Sequence, residues 1–201
     1  MSMHRIILWG ALVASLAAGV PLRAQGSLEA LTRAGQLEVA GERHEYVLRY
    51  LPVSSFPQLP ARVAAELNRR GCRIPQTWQA HGPENVIKAS LEQAGSEDWA
   101  VLCAVEGDVS LLVFLASGGD PVQLAEATEI SRLQPIGSGI RYGFGWGIDP
   151  ATPEQVYQAQ AGLQPRPERI DHDALADSSI VRKTVYRFFS HGNWAVLAVP
   201  E

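Results

Sequence analysis

The residues best suited to chemistry are few. Asp171-His172-Asp173 is the one acid–histidine cluster in the chain. An imidazole beside a carboxylate can orient a proton transfer or hold a metal. Adjacent residues of an extended chain point to opposite faces, so His172 meets Asp171 or Asp173 only if the chain turns there. Asp173 also suits a simpler role, capping a turn at Ala174–Ala176. A second candidate is the glycine–aromatic run from Gly137 to Gly147. Read as a strand, it lines Tyr142, Phe144 and Trp146 along one face and leaves glycines on the other. Exposed, those rings could stack on a sugar or an aromatic ligand, with Arg141 supplying donors, so Arg141, Tyr142 and Trp146 are candidate ligand contacts. Buried, they are core, and the glycines let a neighbouring element approach closely.

Other chemistries lack their parts. The Gly-x-Gly steps are not a dinucleotide fingerprint, because the following helix begins only after Pro153. Ser138 and Ser117 sit beside glycines, but no Gly-x-Ser-x-Gly elbow surrounds either. Glu126 and Glu129 are three apart, as on one solvated helical face. His44, His81 and His191 stand alone. The two cysteines, Cys72 and Cys103, form no Cys-x-x-Cys and have no histidines at metal-ligand spacing. No metal and no cofactor is implied.

The elements that would position these residues begin with the segment Trp99–Leu115. Two apolar runs flank Glu106-Gly107-Asp108, the pattern of a hairpin. Trp99, Val101 and Cys103 share one face and Ala100, Leu102 and Ala104 the other. Val109, Leu111 and Val113 oppose Leu112 and Phe114. Neither strand has a polar face, so this hairpin should be central and covered on both sides. A second hairpin is read at Ile180–Phe189 and Trp194–Val199, turned by Ser190-His191-Gly192-Asn193. Helices are expected over Pro60–Arg70, stopped by Gly71, and over Thr152–Gly162, opened by a capping box. A short helix is expected from Ser27 through Leu31 and Ala34. Gln36–Ala40 and Glu45–Leu51 look like an extended pair, Val86–Leu91 like a strand, and Pro75 and Gly82-Pro83 mark a loop. The expected fold is α+β: a mostly antiparallel sheet built on two hairpins, with two or three short helices and one disulfide.

The chain has 201 residues and a formal net charge of -4, with no basic stripe of the kind nucleic acid requires. Arg5 precedes an apolar stretch, Ile6–Val20, broken by Pro21. Leu22-Arg23-Ala24 offers a cleavage site before Gln25, which makes residues 1–24 an export signal rather than a span. The expected organisation is a signal over 1–24, an extension and proline-rich linker over 25–59, and an α+β domain over 60–201. The compartment is periplasmic or extracellular, with no stable membrane insertion after cleavage. In an oxidising compartment two cysteines most simply pair, as Cys72–Cys103.

Gly71-Cys72-Arg73-Ile74-Pro75-Gln76, Asn85-Val86-Ile87, Asp98-Trp99-Ala100-Val101-Leu102-Cys103, Leu112-Val113-Phe114 and Asp171-His172 together resemble a group of exported bacterial proteins of unknown function, over roughly residues 60–199. The resemblance implies compartment and a paired cysteine, not an activity. Gly95–Leu102 with Leu112–Phe114 also resembles one strand pair of FG-GAP-type propeller repeats, without their Asp-rich calcium loop, and bears on hairpin geometry alone. The functional reading is a non-enzymatic exported binding or interaction domain, its partner an envelope protein or a carbohydrate. The alternative is a small hydrolase using His172 with Asp171 or Asp173.

Overall fold

In the computed structural model the described residues are 31–180 and 183–199. The expected signal lies outside them. The central hairpin forms as its two-sided apolarity requires. β5 (Asp98–Val105) pairs antiparallel with β6 (Asp108–Phe114), Val101 opposite Leu112 and Leu102 opposite Leu111. Every side chain from Trp99 to Ala104 is buried. Trp99, Val101, Cys103, Leu112 and Phe114 belong to one apolar cluster, and Ala100, Leu102, Ala104, Val109, Leu111 and Val113 to another.

The first cluster is closed by α1 (Ala61–Arg70), which presents Val63 and Leu67 to the sheet. Gly71, at φ 74°, ends the helix in the left-handed conformation that a residue with a Cβ resists. The next residue, Cys72, is disulfide-bonded to Cys103, so the end of α1 is tied to the middle of β5. The second cluster is closed by another sheet. Ile148 and Leu175 enter it from β10 (Trp146–Ala151) and β11 (Ala174–Ser179). With β12 (Thr184–Ser190) and β13 (Asn193–Ala198) these form a four-stranded antiparallel sheet in the order β10-β11-β12-β13. Its far face is covered in turn. Ala151, Val156, Ala174 and Phe188 cluster under α2 (Pro153–Ala159), whose start is held by the Thr152–Gln155 capping box. The order of layers is α1, main sheet, second sheet, α2.

The main sheet has nine strands. β1 (Leu31–Val39) and β2 (Glu42–Pro52) form its N-terminal hairpin. The other edge of β2 is shared. β3 (Arg73–Gln76) takes Arg49–Pro52, and β9 (Arg141–Phe144) runs parallel to Glu45–Val47. β3 meets β5 at Arg73–Ala104, and β4 (Val86–Ala89) pairs along the rest of that edge. β7 (Val122–Thr128) and β8 (Leu133–Ile136) end the sheet at its two sides.

These observations correct the expected fold class. The protein is mostly β, about 50% strand and 14% helix, with two sheets and two α-helices among the described residues. The two hairpins of the α+β reading lie in different sheets, and segments read otherwise became strands. Leu31–Ala34, expected as a helix end, is in β1, because Leu31 to Ala34 pair with Val47 to Tyr50. Ala174–Ala176, expected as a turn capped by Asp173, opens β11. Pro75, expected in a loop, is in β3. Residues 31–52, read as part of an extension, supply β1 and β2, the latter inside the main sheet. In each case pairing with a distant strand outweighs local preference.

Buried polar groups fix the frame. Asp98 is fully buried, and its carboxylate accepts from Leu91 N at 2.8 Å, Glu92 N at 2.9 Å, Ala116 N at 2.7 Å and the Ser96 hydroxyl. It therefore ties both chain ends of the central hairpin together. Between the sheets, Asp177 of β11 pairs with Arg132 at 3.0 Å and Arg187 at 3.4 Å. Arg187 also donates to Leu124 O of β7. Glu129 is buried, accepting from Tyr50 Oη at 2.6 Å and Arg33 Nη1 at 2.8 Å. Burial, then the bond to Glu129 and that carboxylate's charge, push the Tyr50 phenol well above its usual range.

The disulfide closes a loop between cysteines 31 positions apart, for which chain entropy gives about 3–4 kcal/mol. Cys103→Ala should lower the free energy of urea unfolding by that amount, and the midpoint with it, while leaving the sheet's far-ultraviolet signature in place. An unchanged midpoint would show that α1 holds to β5 by packing alone.

Candidate functional site

The sequence placed its candidates on two stretches, and the structure puts both to mainly structural use. His172 is buried, with Nδ1 2.9 Å from the backbone oxygen of Asp173. The Asp173 carboxylate accepts from Ser90 N at 3.0 Å, and Asp173 N donates to Ser90 O at 2.8 Å. The pair fastens the start of β11 to the end of β4. Asp171 is exposed. No group of three metal-ligating side chains occurs among the described residues.

The glycine–aromatic run is not one strand but a crossing between sheets. β9 ends at Phe144, and β10 starts at Trp146. Phe144 is 1% exposed; Tyr142 and Trp146 are partly buried against the inter-sheet core. Tyr142 meets His44 edge-on at 5.3 Å, and Arg132 lies 4.9 Å over the Trp146 ring. Arg141 is exposed, 3.9 Å from Glu45 Oε2. The run is thus not one exposed ladder: Phe144 is core, while Tyr142 and Trp146 pack against the inter-sheet core and keep part of their surface exposed. The glycines provide close approach. A Cβ on Gly143 would lie 2.8 Å from Cβ of Trp78, and one on Gly145 would overlap the Gln134 side chain.

That contact with Trp78 leads to the site. A cleft of about 890 Å³ opens between the β3–β4 loop and the neighbouring ends of β10 and β11, a size ordinary for a small-ligand seat. Arg49, Trp78, His81, Glu84, Asp149 and Ser179 are among its lining residues. The loop wall is built from the chain outward. Gln76, buried at the end of β3, uses its amide to accept from Glu84 N at 2.9 Å and donate to Glu84 O at 3.1 Å. Thr77 donates its hydroxyl to Glu84 Oε2 at 2.7 Å, and Arg49 Nη2 donates to Thr77 O at 2.6 Å. Trp78 N donates to Phe144 O at 2.9 Å. Thus Trp78 is anchored to the crossing strand, and Glu84 is oriented with one carboxylate oxygen outside that bond.

Asn85 joins this wall to the opposite one. It is 2% exposed and sits at φ 68°, a conformation Asn tolerates better than most residues. Its Nδ2 donates to Pro75 O at 2.7 Å, its Oδ1 accepts from Ile148 N at 3.0 Å, and its backbone oxygen accepts from Leu102 N at 3.0 Å. One residue thereby links β3, β5 and β10. The far wall is fixed by Ile180 N donating to Gly145 O at 2.8 Å.

The serines of the cleft are held by neighbouring groups. Ser178 Oγ is 3.0 Å from Thr184 Oγ1, and Ser179 Oγ accepts from Lys183 N. Neither is bonded to a histidine, the pairing an activated serine needs. The groove presents one guanidinium, two carboxylates, an imidazole, an indole and hydroxyls. Sequence reasoning identified the loop but none of these residues as a site. The available signal was a tryptophan, a histidine and a glutamate in a short loop between glycine and proline breaks, where positioned function concentrates. No family model, no curated protein and no solved structure matches the chain.

Asn85→Ala removes two buried side-chain bonds and places alanine at positive φ, which should cost about 3 kcal/mol or more in thermal or urea unfolding. Asn85→Gly, free of the backbone penalty, should lose less. Equal losses would mean that the left-handed conformation contributes nothing.

Proposed function

We propose that this is an exported, non-enzymatic binding domain whose seat is the cleft between the β3–β4 loop and the β10–β11 ends, and that its ligand is a short saccharide. The observation that carries the reading is the convergence of Arg49, Trp78, Glu84 and Asp149 on one groove whose serines, Ser178 and Ser179, are hydrogen-bonded to Thr184 and Lys183. Carboxylates accept from sugar hydroxyls, a guanidinium donates to ring and hydroxyl oxygens, and an indole covers the apolar face of a pyranose. Export is supported by the apolar Ile6–Val20 segment ahead of a small-residue cleavage site, and by the Cys72–Cys103 disulfide, a bond favoured in oxidising compartments. No described helix is long and apolar enough to cross a membrane.

The test is calorimetric titration of the mature protein with a panel of neutral and acidic oligosaccharides, with short peptides alongside. A saccharide should bind, and Asp149→Ala or Glu84→Gln should weaken it about tenfold, the worth of a hydrogen bond to a charged group. His172→Ala should leave affinity unchanged. Binding only to peptides, or affinity lost with His172 and retained without Asp149, would contradict the reading.

A further inference from the structure

The strands that end the two sheets are not alike. β1 carries Arg33 and Glu38, β4 carries Lys88, β7 carries Glu126 and pairs across a register break at Leu111/Leu112, β8 carries Pro135, and β10 carries Asp149 and Pro150. Charges, prolines and bulges are the ordinary means of stopping an edge from recruiting another strand. β13 has none of them. Its sequence is Asn193-Trp194-Ala195-Val196-Leu197-Ala198, and no described strand pairs with its outer side.

The groups on that outer side follow from the register. His191 and Gly192, at φ 50° and 78°, make a two-residue turn, so Ser190 and Asn193 close the ladder. Hydrogen-bonded pairs then alternate: Phe188 with Ala195, Tyr186 with Leu197, and on to Val199 N donating to Thr184 O at 3.2 Å. The N–H and C=O groups of Trp194, Val196 and Ala198 therefore point away from β12. Val196 is 60% exposed, although it is apolar and lies mid-strand.

The geometry points to this edge as a self-association site, where β13 pairs antiparallel with β13 of a second copy about a two-fold axis through Val196. The three outward residues are self-complementary under that axis. Val196 exchanges both backbone bonds with its counterpart, and Trp194 lies opposite Ala198. The side chain on the axis meets its own copy, so a charge there would be repelled; β13 puts neutral, exposed Val196 on it and carries no charge elsewhere. Of the edges above, only β13 meets that condition without a proline or bulge. The contact closes as a dimer, since each copy spends the one such edge among its described strands. It joins two four-stranded sheets into one of eight. A single short strand pair buries well under the ~1,200 Å² typical of stable complexes, so the dimer should be weak and concentration-dependent. This inference is independent of the cleft.

Sedimentation equilibrium of the mature protein over about two orders of magnitude in concentration reads it directly. The wild type should pass from monomer to dimer mass. Val196→Pro removes an outward donor and no bond to β12, and Val196→Lys sets two ammonium groups face to face; both should stay monomeric throughout. Should the proline variant fold poorly, the lysine variant decides, its unfolding midpoint reporting that the hairpin is intact. Asp149→Ala, in the cleft, should dimerise like the wild type. A wild type monomeric at every concentration overturns the proposal, including the case where a foreign peptide occupies the edge. So does a Val196→Lys variant that dimerises as the wild type does.

Discussion

A strand that is apolar on both faces must be covered twice, and β5 imposes that condition on everything around it. Trp99, Val101 and Cys103 require one cover; Ala100, Leu102 and Ala104 require another. At about 25 cal/mol per Å² of apolar surface, leaving either face wet would cost more than a domain of this size has to spare. The chain meets the first need with α1, attached through Cys72, and the second with a whole second sheet. That sheet then has an outer face of its own, which α2 closes. The four layers follow from one strand's lack of a polar side.

Stacking sheets creates seams, and the seams hold the polar chemistry. In the inter-sheet space Asp177 is held between Arg132 and Arg187. Such a network gains little net energy over apolar packing, but loss of one member strands a buried charge, so it fixes how the sheets align. Ile148, opposite Asp177 in the ladder, donates its N–H to Asn85, which satisfies three backbone groups on three strands. The cleft is what that seam leaves uncovered. Its rigidity comes from the same bonds that join the sheets.

The sequence disclosed what is local and intensely patterned. The central hairpin, its two faces, α1 with its glycine stop, the α2 capping box and the C-terminal hairpin were legible because each is written in adjacent residues. The second sheet was not. β10 and β11 are short and half-polar, and they pair with each other only across the whole α2 segment. Trp-Ala-Val-Leu occurs twice, at 99–102 and 194–197. Val101 is fully buried and Val196 is largely exposed. Identical residues met opposite fates because β5 has neighbours on both edges and β13 does not. The cleft was illegible for a related reason: Arg49, Trp78, Glu84 and Asp149 lie on four separate segments that only the stacked sheets bring together. In the acid–histidine cluster, conspicuous in the sequence, Asp173 fastens the end of β4 to the start of β11.

The proposed ligand seat is the cleft, and amide and indole resonances report its occupancy residue by residue. Nitrogen-15 chemical-shift mapping during addition of the oligosaccharide panel should move the Trp78 indole N–H and the amides of Gln79, Glu84, Gly147 and Ser179 together, saturating at one midpoint. Shifts centred on Asp171, His172 and Asp173, with the loop signals still, would contradict it.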